Sequence, residues 1–496
     1  MDGIVGRMWN HEKYKGLDIR IKALVWFFLC NIIIKGINFI ALPIFTRILP
    51  VEEFGELSIF TSFEQLILVI ATWEVSIGPY QRGLFKYKND IPFFTASTFL
   101  FANVITIFTF LLIFAFRDGF YSMTGFSSQI SFFLFIYLFF QPAYSCWFYR
   151  QRVQYNYKSS VTASIVITTM SIASPIVALH YLPKTAENKF IFSLFPSIVI
   201  FTVFYIWQLS KSEMLSKGFL IERIRKIREY WKFLISFTPP LVIHALSFFI
   251  LVQSDRIMIG KLDCKEHAAL YSVACSISAL TAIFQGAFQQ VMLPWIYENL
   301  ENRNYSNILH KTNCLILFLG LLYCIFILIS PDLIFVIFPR QYANSIWCVP
   351  PIVFGSFFMF LYSLFVNVES YYEKTRYIAY VSVSCSILNI VLNYIGIPVF
   401  GYEFCAYSSL LCYMLFAGGH YFFMKKILSN NMVVESVFDS KWLLYVVSAM
   451  MFLLFIILII YEYNYLRYSM LAIIALVFYM NKKRINVTLS GVIWSK

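Results

Sequence analysis

The stretch ALVWFFLCNIIIKGINFIALPIFT, residues 23–46, holds a single charged side chain, and its apolar residues run on without alternating with polar ones. A helix crossing the hydrocarbon core of a bilayer needs about 20 such residues, whereas a spanning β-strand shows a dyad pattern over about 10. In lipid the backbone must satisfy its own hydrogen bonds, so an unbroken apolar run of this length reads as a transmembrane helix. Blocks of the same kind, bounded by charges, Pro or Gly, recur near 57–79, 92–116, 130–149, 160–182, 190–209, 233–260, 268–297, 312–338, 346–371, 378–398, 404–424, 442–461 and 468–481. The expected fold is therefore an all-α polytopic membrane protein with about 14 transmembrane helices.

Composition points the same way. Of the 496 residues, 60% are hydrophobic and 13% charged, against about 25% charged in a soluble domain. A soluble globular protein is excluded. The ten cysteines form no C-x-x-C pair, and all but Cys264 fall in apolar blocks, so neither a disulfide framework nor a metal site is expected. Residues 1–22 are polar, basic and too long for the head of a cleaved signal, so the first helix is expected to be retained.

A formal charge of +13 would suggest nucleic acid in a soluble protein, but here its distribution is the informative quantity, and no nucleic-acid partner is expected. With the N-terminus inside, 29 of the 39 Lys and Arg residues fall in inner segments and 8 in outer ones, while Lys35 and Arg256 lie within spans. An excess of Lys and Arg marks the cytoplasmic side, which predicts that both termini are cytoplasmic. The longest inner loop, 210–232, divides six helices from eight. Its tail IERIRKIREYWKF sets Ile221, Ile224, Ile227 and Trp231 at helical spacing beneath a basic face, the pattern of an interfacial helix, or of a solvated linker. The expected organisation is a cytoplasmic N-terminus (1–22), an N-lobe of helices 1–6 (23–209), a basic cytoplasmic linker (210–232) and a C-lobe of helices 7–12 (233–424). A cytoplasmic loop (425–441), helices 13–14 (442–481) and a cytoplasmic C-terminus (482–496) follow, giving two six-helix lobes plus two C-terminal helices.

A charge at the bilayer centre costs about 2.5–3.5 kcal/mol on insertion scales, so each one suggests a function. Asn31, Lys35 and Asn38 fall at i, i+4 and i+7 and form one polar stripe. That stripe suits a wet cavity, or Lys35 snorkels or pairs with a carboxylate on the second helix. Glu64 and Glu74 on that helix are about 15 Å apart in rise, too far to share a proton, and each is either an ion-coupling group or a structural partner. Asp255 and Arg256 are adjacent, so they point about 100° apart and each needs water or a partner on another helix. His244 shares the face of Asp255 and is expected to be a satisfied interior residue in preference to a proton carrier, while the pairs Gln285/Gln289 and Asn389/Asn393 are expected to join helices, the alternative being bonds to sugar hydroxyls. Arg47, Arg82 and Arg150 sit near membrane faces. Walker, GxGxxG, HExxH and GxSxG motifs are absent, the histidines are scattered, and the outer loops are short. An enzyme is therefore not expected, nor is a cofactor.

Four segments together resemble a known family: ALPIFTRILPVEEFGELSIF at 41–60, SDRIMIGKLDCKEHAALYSVA at 254–274, QQVMLPWIYENL at 289–300 and EKTRYIAYVSVSCSILNIVLNYIGIPVFGYEFCAYSS at 373–409. In order and spacing they are similar to the oligosaccharide flippases of bacterial O-antigen and capsule synthesis (Wzx-like). Those belong to the multidrug/oligosaccharidyl-lipid/polysaccharide exporter superfamily. The resemblance implies twelve to fourteen helices in two lobes around a central cavity. It also implies translocation of an undecaprenyl-pyrophosphate-linked oligosaccharide, an O-antigen or capsule repeat unit of lipopolysaccharide or polysaccharide biosynthesis, from the cytoplasmic to the outer leaflet of the bacterial inner membrane. On this basis alternating access is expected, with Lys35, Asn31, Asn38 and Arg256 as cavity residues. Arg47, Arg82 and Arg150 would draw the headgroup in and out, and Glu64, Glu74 or Asp255 would couple an ion. Membrane lipids and other polysaccharide-assembly proteins are the remaining expected partners. A lipid II flippase, a drug/cation antiporter and a membrane O-antigen polymerase or glycosyltransferase are the rivals.

Overall fold

A computed structural model describes residues 18–212, 214, 220–372, 374–431 and 437–493. Most of the segment 1–22 and parts of 210–232, 425–441 and 482–496 lie outside the described residues. Within them the chain is helical throughout, with no strand, as the unbroken apolar runs require. Eleven helices are long and apolar enough to cross a membrane. The protein is an all-α polytopic membrane protein.

In chain order the first eight helices are α1 (Ile19–Ile48), α2 (Val51–Thr72), α3 (Pro79–Lys86), α4 (Ile91–Ala115), α5 (Arg117–Thr124), α6 (Ser128–Val153), α7 (Tyr157–Tyr181) and α8 (Ala186–Lys211). Then come α9 (Leu220–Leu262), α10 (Lys265–Ser278), α11 (Thr281–Glu301) and α12 (Tyr305–Ile337). A 3-10 turn (Arg340–Cys348) leads into α13 (Val349–Tyr371), α14 (Thr375–Phe400), α15 (Phe404–Asn430), α16 (Ser440–Ile460) and α17 (Asn464–Ile493).

The chain separates into two compact units, residues 1–48 with 63–242 and residues 49–62 with 243–496. Residues 49–62, which hydropathy alone keeps with the first six spans, thus pack into the second unit. In the first unit α8 packs on α6 and α7, α1 lies on α7, and α4 lies on α6. Polar side chains join these helices without exposing backbone: Gln208 Nε2 donates to the Ala143 carbonyl at 2.7 Å, and Thr106 Oγ1 to that of Ala71 at 2.9 Å. Tyr80 stacks on Phe94, and Gly83 permits it, because a Cβ there would come within 2.1 Å of the Phe94 ring.

In the second unit α13 and α15 form the most extensive pair, flanked by α11, α12 and α14. Residues 49–62 dock on the start of α10. A Cβ on Gly55 would lie 1.8 Å from the Lys265 carbonyl oxygen, and the Lys265 ammonium sits 3.1 Å from Glu56 and 3.7 Å from Glu52. The C-terminal helices are docked as well: Arg467, 2% exposed, donates to Asp332 at 2.9 Å, and the Ser330 and Tyr461 hydroxyls bond at 2.8 Å. Arg467, expected in a connecting segment, is therefore buried in the first turn of α17.

Three expected spans are drawn differently. The second helix ends at Thr72 and not near 79. Trp73 and Glu74 adopt left-handed φ of 50° and 44°, Thr72 Oγ1 accepts from the Glu74 amide at 3.2 Å, and Gly78-Pro79 starts α3. The single span expected at 268–297 is two helices, α10 and α11. Ser278 and Thr281 donate to the Ala274 and Ser278 carbonyls at 2.8 and 2.6 Å, local bonds that compete with the helical ladder where it breaks. The basic tail at 221–232 is not a separate interfacial element but the first third of the 43-residue α9. Ile227 and Trp231 pack on protein, Trp231 Nε1 donates to the Ser97 carbonyl at 3.0 Å, and Lys226 and Tyr230 both donate to Asp90 at 3.0 Å.

Candidate functional site

α1 carries the polar stripe, and helix geometry fixes what each of its faces can meet. At about 100° per residue Lys35 and Asn38 fall within about 40° of Asn31, whereas Ile33, Ile40 and Ile44 fall on the opposite side. Both faces are exposed. Between them runs the buried edge with Ala23, Cys30, Ala41 and Phe45. This edge meets α7 near Trp26, which stacks on Tyr157 with 6.2 Å between centroids. The isoleucine face suits lipid tails. Two amides and an ammonium do not, so the face of Asn31, Lys35 and Asn38 is the one that water or a polar ligand must meet. Arg47, at the end of the same helix, is exposed and bonds the Pro43 carbonyl at 2.9 Å.

Glu64 lies in the part of α2 that belongs to the first unit. A cation near enough to act on it is Lys189, in the first turn of α8. The Tyr137 hydroxyl feels the same carboxylate, and the Lys189 ammonium also sits 4.9 Å from the centre of the Phe45 ring. Glu74 is not part of a helix; it occupies the strained turn after α2. Arg82 is exposed with its guanidinium 5.2 Å from the Phe237 ring centre, and Arg150 is half-buried near the end of α6. These arginines, Glu64 and Glu74 therefore occupy distinct places in the first unit.

Asp255 and Arg256 on α9 diverge as their 100° offset requires. The Asp255 carboxylate, 2% exposed, accepts from Asn393 Nδ2 at 2.7 Å, from Ser409 Oγ at 2.7 Å and from the Tyr271 hydroxyl. Asn389 extends this network through Ser254 at 3.0 Å and Ser409 at 3.1 Å, and Ser408 bonds Asn393. Four helices, α9, α10, α14 and α15, thus converge on one carboxylate whose acceptors are met by neutral donors. Arg256 bonds Gln253, and its buried Nε has no partner. His244 bonds Ser382 at 2.9 Å, so it is a satisfied interior residue as expected.

One buried titratable pair is missing from the sequence expectations. Glu369 on α13 and His420 on α15 are both fully buried, with His420 Nδ1 3.1 Å from each carboxylate oxygen and Nε2 without a partner. Glu369 is the lone charge in its apolar block but sits in the last turn, where a charge reads as a boundary. Its partner is 51 residues away, beyond the reach of any spacing rule.

The chain is similar to proteins that share this architecture. It is 22% identical over 374 residues, 72% of this chain and 85% of the relative, to a protein of the Lsg locus of Haemophilus influenzae. An uncharacterized membrane protein of the same organism is 23% identical over 73% of this chain and 85% of its own length. Among solved structures, the lipid II flippase MurJ in an inward closed conformation matches with a TM-score of 0.64 at 14% identity, over 94% of this chain and 100% of that one. An inward-facing multidrug resistance MATE family transporter of the MOP superfamily matches with a TM-score of 0.57 at 10% identity, over 84% and 99%. The fold is thus one that flippases and exporters adopt. Residues 21–300, more than half of the chain, match the family model for polysaccharide biosynthesis proteins, and it is to this family that the chain belongs.

Proposed function

We propose that the protein is a flippase that carries an undecaprenyl-pyrophosphate-linked oligosaccharide, an O-antigen or capsule repeat unit, from the cytoplasmic to the outer leaflet of the bacterial inner membrane. The observation that carries this reading is the exposed row of Asn31, Lys35 and Asn38, set opposite a face fit for lipid. A pyrophosphate is a dense anion, and a partly desolvated ammonium flanked by amide donors makes strong charge-assisted hydrogen bonds to it. Membership of a polysaccharide biosynthesis family supports the glycan, and the fold supports movement of a lipid-linked or amphipathic cargo. Binding and release by alternating access suffice, with no bond broken.

In this reading Arg256 is a second cation for the headgroup, and Arg47, Arg82 and Arg150 attract it as it arrives or leaves. Glu64, with Lys189 as its partner, is the first choice for coupling to an ion gradient, because the donors around Asp255 already meet its acceptors, and Glu74 lies in a turn. Membrane lipids surround the protein, and other polysaccharide-assembly proteins deliver or receive the glycan. The test is lectin access to the outer face of proteoliposomes loaded with a polyprenyl-pyrophosphate oligosaccharide. Wild type is expected to expose sugar, Lys35→Ala to abolish exposure at equal reconstitution, and Lys35→Arg to restore most of it. Equal transport by wild type and Lys35→Ala would overturn the site, and transport of lipid II alone would favour the rival substrate.

A further inference from the structure

The turn between α9 and α10 brings together side chains that neither the family nor the transport reading uses. Asp263, Cys264 and His267 each offer a ligand atom, and these atoms all lie within 4.8 Å of one another. His267 Nδ1 is 2.7 Å from the Asp263 carboxylate. Tetrahedral zinc with bonds of about 2.0–2.3 Å sets its ligand atoms about 3.3–3.6 Å apart, inside the range these groups already span. The Tyr402 ring stacks on the imidazole with centroids 4.4 Å apart, which holds the ring edge toward the thiol and carboxylate. The mix of one thiol, one imidazole and one carboxylate is the donor set of a borderline-soft divalent ion and unlike the all-oxygen set of calcium or magnesium.

We propose that Asp263, Cys264 and His267 bind a zinc-class divalent ion at this turn, leaving its fourth position to water. The ion replaces the proton of the thiol and the hydrogen bond between His267 and Asp263, and it ties the connection after α9 to the first turn of α10. Without the ion the same residues form an ordinary i,i+4 pair between His267 and Asp263.

The full chain in detergent, titrated with Co2+ as a spectroscopic stand-in, tests the site. One equivalent is expected to bind with a thiolate-to-metal charge-transfer band, and Zn2+ is expected to displace it. Cys264→Ser should abolish the band, and His267→Ala should weaken binding by on the order of tenfold or more. Cys275→Ser and Cys314→Ser, which alter the other cysteines short of full burial, should leave both signals intact. All variants are checked for unchanged helicity and elution, since the turn is not part of a packed core. Absence of the band in folded wild type, its persistence in Cys264→Ser, or undiminished affinity in His267→Ala would overturn the proposal.

Discussion

Side chains buried in this protein are costly in proportion to how badly they are met, and Glu369 with His420 shows the consequence. Both are fully buried, so replacing either alone leaves the other without a partner in a low-dielectric interior, which costs about 3 kcal/mol or more. Glu369→Leu and His420→Leu are each expected to lower the thermal unfolding midpoint in detergent by several degrees, while the double variant should lose less than the two losses combined. Strict additivity would mean that the pair does not interact. Lys35 makes the complementary case: it is exposed on a polar face, so Lys35→Ala should leave the midpoint nearly unchanged while it abolishes transport. The two cases also mark what the sequence can disclose at this scale. Asn31, Lys35 and Asn38 declare a shared face by their spacing on one helix. The partners of Glu64, Asp255 and Glu369 lie on other helices, and only packing brings Lys189, Asn393 or His420 to them.

Helices are held here by close backbone approach more than by surface charge, and the docking of residues 49–62 separates the two effects. Gly55 rests on the Lys265 carbonyl, where an added Cβ would lie 1.8 Å from a backbone oxygen that cannot move without shifting α10. Gly55→Ala is expected to destabilise the protein by about 1–3 kcal/mol through this overpacking. Lys265→Met removes only a partly exposed ion pair, so it should cost well under about 1 kcal/mol and depend on salt. Its pH dependence has a definite sign. Burial works against the Lys265 ammonium, but its bond to Glu56 and the charges of Glu52 and Glu53 hold its pKa above the ordinary value. The folded state therefore gains from this group below the ordinary lysine pKa, about 10.4, and loses that gain as pH rises through the higher folded pKa. Wild type and Lys265→Met, melted from pH 7 to 11, should converge at the alkaline end; a gap that widens would contradict the pairing. Element boundaries were harder to read than element existence for the same reason. Apolar runs locate α1 or α4 well, but the stop at Thr72 and the break between Ser278 and Thr281 rest on side-chain bonds to single backbone amides or carbonyls, which hydropathy averages away.

Across the whole molecule, the all-α membrane architecture follows from the length and continuity of apolar runs, whereas the grouping of those helices does not. Hydropathy draws no boundary at residue 62, yet residues 49–62 pack with the second unit, and Arg467 is buried where it meets Asp332. Orientation is different in kind, because it depends on charge counts in loops and not on packing. The charge count expects 29 of 39 Lys and Arg residues on one side and so assigns each connecting segment a side, an assignment that can be tested on two turns that the structure leaves exposed. Lys184, between α7 and α8, is expected in an outer segment, and Asn302, between α11 and α12, in an inner one. In a Cys264→Ser background, Lys184→Cys should react with a membrane-impermeant maleimide in intact spheroplasts, and Asn302→Cys only after the membrane is opened. The reverse pattern would invert the molecule and, with it, the direction of export. Reaction of both from outside would mean that an even number of crossings, and not the expected three, separates residues 184 and 302, and the division of 185–301 into spans would have to be redrawn.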